Sequence, residues 1–156
     1  MVPMTELLLY EAARAQHVTE VIKPFLEGGG VVLCDRFSDA TVAYQGYGRR
    51  MDLQWIERLN HLSSQGIRPD VTFLLDCPTD MGLERALRRN RVQKREKEER
   101  FEREKIEFHR RVRRGYLAIA KKEPRRVKVI DTRAGEERVF EKIRKIVDNL
   151  VGSSEL

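Results

Sequence analysis

A chain of 156 residues is long enough for one domain with its own core. Charged residues make up 36% and hydrophobic ones 40%, too polar for a membrane-spanning protein and too apolar for a disordered one. Lys and Arg number 31 against 25 Asp and Glu, and the net charge of +6 favours an anionic partner: a nucleotide, a nucleic acid or a membrane surface.

The first residues, Met1 to Glu6, carry neither a basic end nor a cleavage site and do not read as a signal peptide. Glu6 to Leu26 has helical spacing, with Leu7, Leu8, Ala12, Ala15, Val18 and Ile22 as its apolar stripe and Thr5 as its N-cap. Pro24 is expected to kink or shorten its end, and Gly28-Gly29-Gly30 to stop it. Val31 to Cys34 is an apolar run without alternation, the pattern of a strand buried on both faces of a parallel sheet. Asp52 to Ser64 predicts a helix with Leu53, Ile56, Leu59 and Leu62 on one side, and Gly66 to Asp70 a turn. Val71 to Leu75 is the second strand, closed by Asp76-Cys77-Pro78. A helix follows from Pro78 or Thr79 to about Arg89, then an almost continuous run of charge from Lys94 to Glu107. Phe108 to Lys122 predicts a helix with Val112, Tyr116 and Ile119 as its stripe. Val127 to Ile130 is the third strand, and Glu136 to Val151 the last helix. Strands alternating with helices imply an α/β fold with a parallel sheet, whose ligands lie beyond the carboxyl ends of the strands. Asp35, Asp76 and Asp131 stand at those three ends.

Asp35 to Arg49 is the segment richest in chemistry. A carboxylate at a strand end can hold a hydrated Mg²⁺ or accept a proton, and the adjoining guanidinium of Arg36 can grip phosphate oxygens bidentately. Thr41, Tyr44 and Gln45 offer a hydroxyl, a ring and an amide to a base and sugar. The competing reading is a strand end followed by a polar, Gly-broken turn. Cys34 and Cys77 form no disulfide framework and no zinc-ligand spacing, which points to a reducing cytoplasm; each reads as small buried filler. His17, His61 and His109 are isolated.

The segment Asp35-Arg36-Phe37-Ser38-Asp39-Ala40-Thr41-Val42-Ala43-Tyr44-Gln45-Gly46-Tyr47-Gly48-Arg49 resembles the signature of bacterial thymidylate kinases. Glu6 to Val18 is similar to the nucleoside-binding helix of that family. Arg68-Pro69-Asp70 with Phe73 to Asp76 is similar to its next strand, and Arg100-Phe101-Glu102 with Phe108, Val112 and Gly115-Tyr116-Leu117 to its lid and following helix. The resemblance spans residues 4 to 150. Ala40 departs from it, standing where a small hydroxyl residue is common.

The resemblance implies a three-layer P-loop NTPase-like nucleoside monophosphate kinase fold, residues 1–156 forming a single domain from which the first strand and the P-loop are missing. No G-x-x-x-x-G-K-[ST] run occurs in the 156 residues. It implies transfer of a phosphoryl group from ATP to dTMP with Mg²⁺, in a cytoplasmic homodimer paired through the helices from Glu6 and from Asp52. Tyr10 takes the place of the aromatic that stacks on thymine, Arg14 and Thr41 read the base, Tyr44 lies beside the deoxyribose, and Gln45 belongs to the same binding segment. Arg36 grips the substrate phosphate, and Asp35 is the carboxylate near the metal and the transferred phosphoryl. A lid over about 90–107 closes on ATP, with Arg100 opposite the transferring charge and Arg95, Glu102 and Arg89 in support. From Arg85 to Arg114 stand 14 Lys/Arg, mixed with seven Glu between Glu84 and Glu107, which reads for most of them as a solvated helical surface. Two other readings are a remnant that binds dTMP without turnover and a basic nucleic-acid-binding module; a nucleic-acid surface would want its cations segregated and interleaved with aromatics.

Overall fold

Pro3 sets the first helix earlier than the Thr5 cap would. Its fixed φ and missing N–H suit the first helical turn, so Val2 becomes the N-cap residue. The helix α1 (Pro3–His17) passes into a π-helical turn over Val18–Ile22 and resumes as α2 (Lys23–Glu27). In that turn the Lys23 N–H reaches back to Val18 O, a wider register than the α-helix, just before Pro24, which has no N–H to give. Pro24 therefore neither stops nor shortens the helix, and Gly28 to Gly30 ends it as expected. The buried side is Leu7, Glu11, Val18 and Ile22, whereas Leu8 is exposed.

The computed structural model describes residues 1–82, 84 and 106–152, and these divide into two units. The first holds Met1–Asp70 and Phe108–Ile119; the second holds the described residues of Val71–Glu107 and Ala120–Leu156.

In the first unit, α1 packs on α4 (Leu53–Ser63), and α3 (Ser38–Thr41) leads into a π-helical segment, Val42–Gly48. The Tyr-Gln-Gly run is therefore helical rather than a turn. Asp52 caps α4, its carboxylate accepting from Gln54 N at 2.7 Å and Trp55 N at 3.2 Å. The buried side of α4 is Ile56, Asn60 and Ser63, not the predicted leucines, and Leu62 is 75% exposed. The long helix α5 (Ile106–Lys122) brings Phe108, Val112 and Gly115 against the π-helical segment. A Cβ on Gly48 would lie 2.7 Å from Phe108 and 2.9 Å from Val112; one on Gly115 would lie 2.8 Å from the Tyr47 ring. Glycine at both places lets the backbones approach. The core of this unit is small: Leu7, Val18, Ile22, Ala43, Ile56 and Val112.

Val31 to Cys34 has no regular secondary structure and pairs with no described strand, and Val31 and Leu33 are 81% and 95% exposed. The first predicted strand is thus absent from the described sheet. An extended segment becomes a strand only where another backbone takes up its N–H and C=O groups. Cys34 is accordingly exposed and Cys77 half-buried, not the buried filler the composition suggested.

The second unit contains the sheet. β1 (Thr72–Asp76) and β2 (Val127–Asp131) run parallel, Thr72 opposite Val127 through to Asp76 opposite Asp131. The Thr132 hydroxyl donates to Asp76 O at 3.1 Å and ties the two carboxyl ends together. A 3₁₀ turn, Thr132–Ala134, follows, and α6 (Glu136–Gly152) lies against β2. Helices in both units together with a parallel pair of strands make this an α/β fold, as the element order predicts. Among the described residues no helix is long and apolar enough to cross a membrane.

Candidate functional site

Arg14 stands at the meeting point of three helices of the first unit. Its Nη1 donates to Glu11 Oε2 at 2.7 Å and to Asn60 Oδ1 at 2.5 Å, and its Nη2 to Thr41 Oγ1 at 2.5 Å. Glu11 lies three residues earlier on α1, the spacing that brings side chains together on one helical face. α4 supplies Asn60 and α3 supplies Thr41. Asn60 Nδ2 donates in turn to Ser38 O at 3.3 Å, and the Ser63 hydroxyl donates to Glu11 Oε2. The Arg14 guanidinium lies over the Phe37 ring, 5.4 Å from its centroid. The Arg14 and Glu11 side chains are only 10% and 6% exposed, so these charge-assisted bonds operate largely out of water. Glu11 Oε1 is buried with no hydrogen-bond partner among the described residues. Tyr10 projects from the same helix, 56% exposed, as a platform for a planar ligand requires.

A second group gathers around Arg36. Its backbone is left-handed at φ 66°, a conformation that bulky residues seldom adopt outside constrained sites. The bend sets its guanidinium over the Tyr44 ring, 5.3 Å from the centroid. Tyr44 meets Phe108 and Tyr116 edge to face, at 6.0 and 6.4 Å. Burial first, and then the neighbouring Tyr44, push the Tyr116 hydroxyl up to about 12 against the opposing pull of Arg36. Asp35 is exposed, and its carboxylate makes no hydrogen bond within the described residues. It fits the single-carboxylate attachment that Mg²⁺ uses beside substrate phosphates. Among the described residues no group of three or more His, Cys, Asp or Glu is placed to hold a metal.

Gln45 faces elsewhere. It is buried, and its amide donates to Glu6 Oε1 at 2.9 Å, an oxygen that Arg49 also reaches. Burial raises the Glu6 carboxyl, but the bonds from Gln45 and Arg49 outweigh that and hold it below its ordinary value. Arg49 stacks on Phe108 at 5.0 Å, and Arg111 holds Gly48 O at 3.1 Å.

The structure thus joins Arg14 to Thr41 and Arg36 to Tyr44, and turns the Gln45 amide toward Glu6. Arg89, Arg95, Arg100 and Glu102, with nearly all of the lid, lie outside the described residues. Sequence reasoning missed Glu11, Asn60, Ser63 and Tyr116. Glu11 had a signal, an acid three residues before the key Arg on one helix. Asn60 and Ser63 had a fainter one, polar residues following Ile56 at helical spacing.

Comparison with known proteins supplies the family. A family model described as thymidylate kinase matches residues 1–143. The thymidylate kinase of Geobacter sulfurreducens is 54% identical over 151 residues, covering 97% of this chain and 71% of that protein. That of Pelobacter propionicus is 55% identical over 141 residues, 90% of this chain and 64% of its own length. A third, from Geobacter sp. strain M21, is 59% identical over 129 residues, 83% of this chain and 57% of that protein. The chain therefore spans 57% to 71% of these three relatives. The crystal structure of thymidylate kinase from Ehrlichia chaffeensis superposes with a TM-score of 0.73 at 32% identity, over 94% of this chain and 67% of that one. With its P-loop NTPase-like α/β neighbour and identities above half over most of its length, the chain belongs to the thymidylate kinase family of nucleoside monophosphate kinases.

Proposed function

We propose that these residues form the acceptor side of a kinase that transfers a phosphoryl group from ATP to dTMP, giving dTDP. The observation that carries this reading is the Arg14 constellation: a guanidinium fixed by Glu11, Asn60 and Thr41, one helical turn beyond the exposed ring of Tyr10. Tyr10 stacks on thymine, and Arg14 and Thr41 meet its polar edge. Tyr44 and Gln45 border the sugar, Gln45 through its place in the segment rather than its amide. Arg36, presented by its left-handed backbone, grips the phosphate. Asp35 would hold Mg²⁺, which supplies charge neutralisation to the phosphate oxygens when bound. By family resemblance Arg100 meets the transferring charge, with Arg95, Glu102 and Arg89 completing a lid over 90–107. Catalysis of this kind is positioning and electrostatics.

The 156 residues contain no G-x-x-x-x-G-K-[ST] loop, the element that cradles ATP phosphates in P-loop NTPases. That feature supports a second reading for this stretch by itself, dTMP binding without turnover. We propose a homodimer in the cytoplasm, paired through α1 and α4, which expose Met4, Leu8, Trp55 and Leu62. Titration calorimetry of the chain with dTMP, thymidine and dCMP, beside an ADP-release assay, tests the function. Binding of dTMP in preference to both others is expected. ADP formation separates enzyme from remnant. Equal affinity for all three, or displacement by RNA at low salt, would overturn the assignment. Sedimentation equilibrium of the chain and of Trp55→Glu reads the dimer.

A further inference from the structure

We infer that Glu11 is the positioning residue of Arg14, holding the guanidinium so that its remaining N–H groups face a bound ligand. The inference rests on the proposed role of Arg14. A guanidinium has five N–H donors. Both Nη1 hydrogens are engaged, by Glu11 and Asn60, and one Nη2 hydrogen by Thr41. Among the described residues Nε–H and one Nη2 hydrogen are left over. They are the donors a base carbonyl would accept from, and they point usefully only while Nη1 is pinned. Asn60 alone would pin one hydrogen; Glu11 pins the other and supplies the compensating charge.

A second observation is independent of the ligand. Glu11 is 5% exposed, and its Oε1 has no hydrogen-bond partner among the described residues. A buried carboxylate with one unsatisfied oxygen opposes folding, and an apolar residue would fit a helix interface better. The other oxygen, Oε2, explains why an acid stands there: it takes both the Arg14 bond and the bond from the Ser63 hydroxyl. Ser63 thereby orients the carboxylate as the carboxylate orients Arg14. Its chain position on α4 makes the whole arrangement a three-helix clamp on one cation.

The test compares the full 156-residue chain with Glu11→Gln and Ser63→Ala. Guanidinium NMR, with the Arg14 signals identified by their loss in Arg14→Lys, reads rotation about the Cζ–N bonds; calorimetry reads dTMP affinity. Expected are restricted Arg14 signals in the parent chain, averaged ones in Glu11→Gln, and a dTMP affinity weaker by roughly tenfold or more, the size of a lost charge-assisted bond. Ser63→Ala removes no charge and is expected to loosen Arg14 by a smaller step; it carries the test if Glu11→Gln does not fold. Arg14 signals equally restricted in parent and variants, or dTMP affinity unchanged in a folded Glu11→Gln, would overturn the inference. If the parent binds no dTMP and Arg14 is still released by Glu11→Gln, positioning stands and the proposed ligand falls.

Discussion

Two ion pairs in this chain have nearly the same length and opposite surroundings. Glu11 and Arg14 approach to 2.7 Å with side chains 6% and 10% exposed, and Asp131 and Arg133 to 2.6 Å with side chains 42% and 60% exposed. The first pair belongs to the helical unit and is held from three sides; the second closes on itself two residues apart at a strand end, where Arg133 donates to both Asp131 oxygens. Contact distance therefore says little about what a pair does. Burial decides, because water and salt screen the exposed pair while the buried one cannot lose a partner without stranding a charge.

The largest effect that sharpens this contrast comes from Arg14→Ala. It leaves Glu11 buried beside Ser63 with no cation, and is expected to cost about 3–5 kcal/mol, the range for breaking a buried pair. Urea unfolding of the variant measures it. A change below about 1 kcal/mol, the scale of a surface pair, would mean that water reaches this network freely. Next in size is Gly48→Ala. Its Cβ would press on Phe108 and Val112 at 2.7 and 2.9 Å, and overpacking of this kind costs about 1–3 kcal/mol. The same urea midpoint reads it, and an unchanged midpoint would show that α5 stands off from the π-helical segment.

The two strands of the described sheet were legible as apolar runs, and α3 with the π-helical segment was not read as helix. The helices α1, α4, α5 and α6 were legible from periodicity, because spacing records which side of an element avoids water. Which side it is proved less legible. Leu8 and Leu62 match the apolar stripes and are exposed, while Glu11, Asn60 and Ser63 are buried. Packing around a cation chose polar residues for the inner faces, and a hydrophobic pattern does not announce that. Val31 to Cys34 shows the same limit differently: its apolar run is what a buried strand needs, but pairing depends on a neighbour that a local pattern does not contain. The family resemblance singled out Arg14, Thr41, Arg36 and Tyr44, which the structure brings together as two pairs. It did not reveal that the Gln45 amide bonds Glu6, since residue type does not fix where a side chain points.

Tyr116 offers a smaller, spectroscopic test of the helical unit. Free tyrosine ionises near pH 10, and burial with Tyr44 alongside moves Tyr116 to about 12. Its folded value exceeds the unfolded one, so any stability tied to it is fully present below pH 10 and is lost as pH rises toward 12. Phenolate absorbance should show one of the four tyrosines titrating near 12, and Tyr116→Phe should remove that step. Loss of a step near 10 instead would place the ring in water.

The smallest effect is expected at the exposed pair, and it completes the comparison. Hydrogen bonds from the Arg133 side chain and then its backbone N–H hold the Asp131 carboxyl well below the usual carboxylate range. A folded value below the unfolded one gives stability that is present above about pH 4 and lost as pH falls further. Both groups nevertheless stand in water, and screening leaves little of the attraction to report on folding. Asp131→Asn should leave the urea midpoint at pH 7 and moderate salt unchanged within error. A clear loss of stability at pH 7, abolished by high salt, would show that the strand end depends on its ion pair as the helical unit does on Arg14, and the contrast drawn from burial would fail.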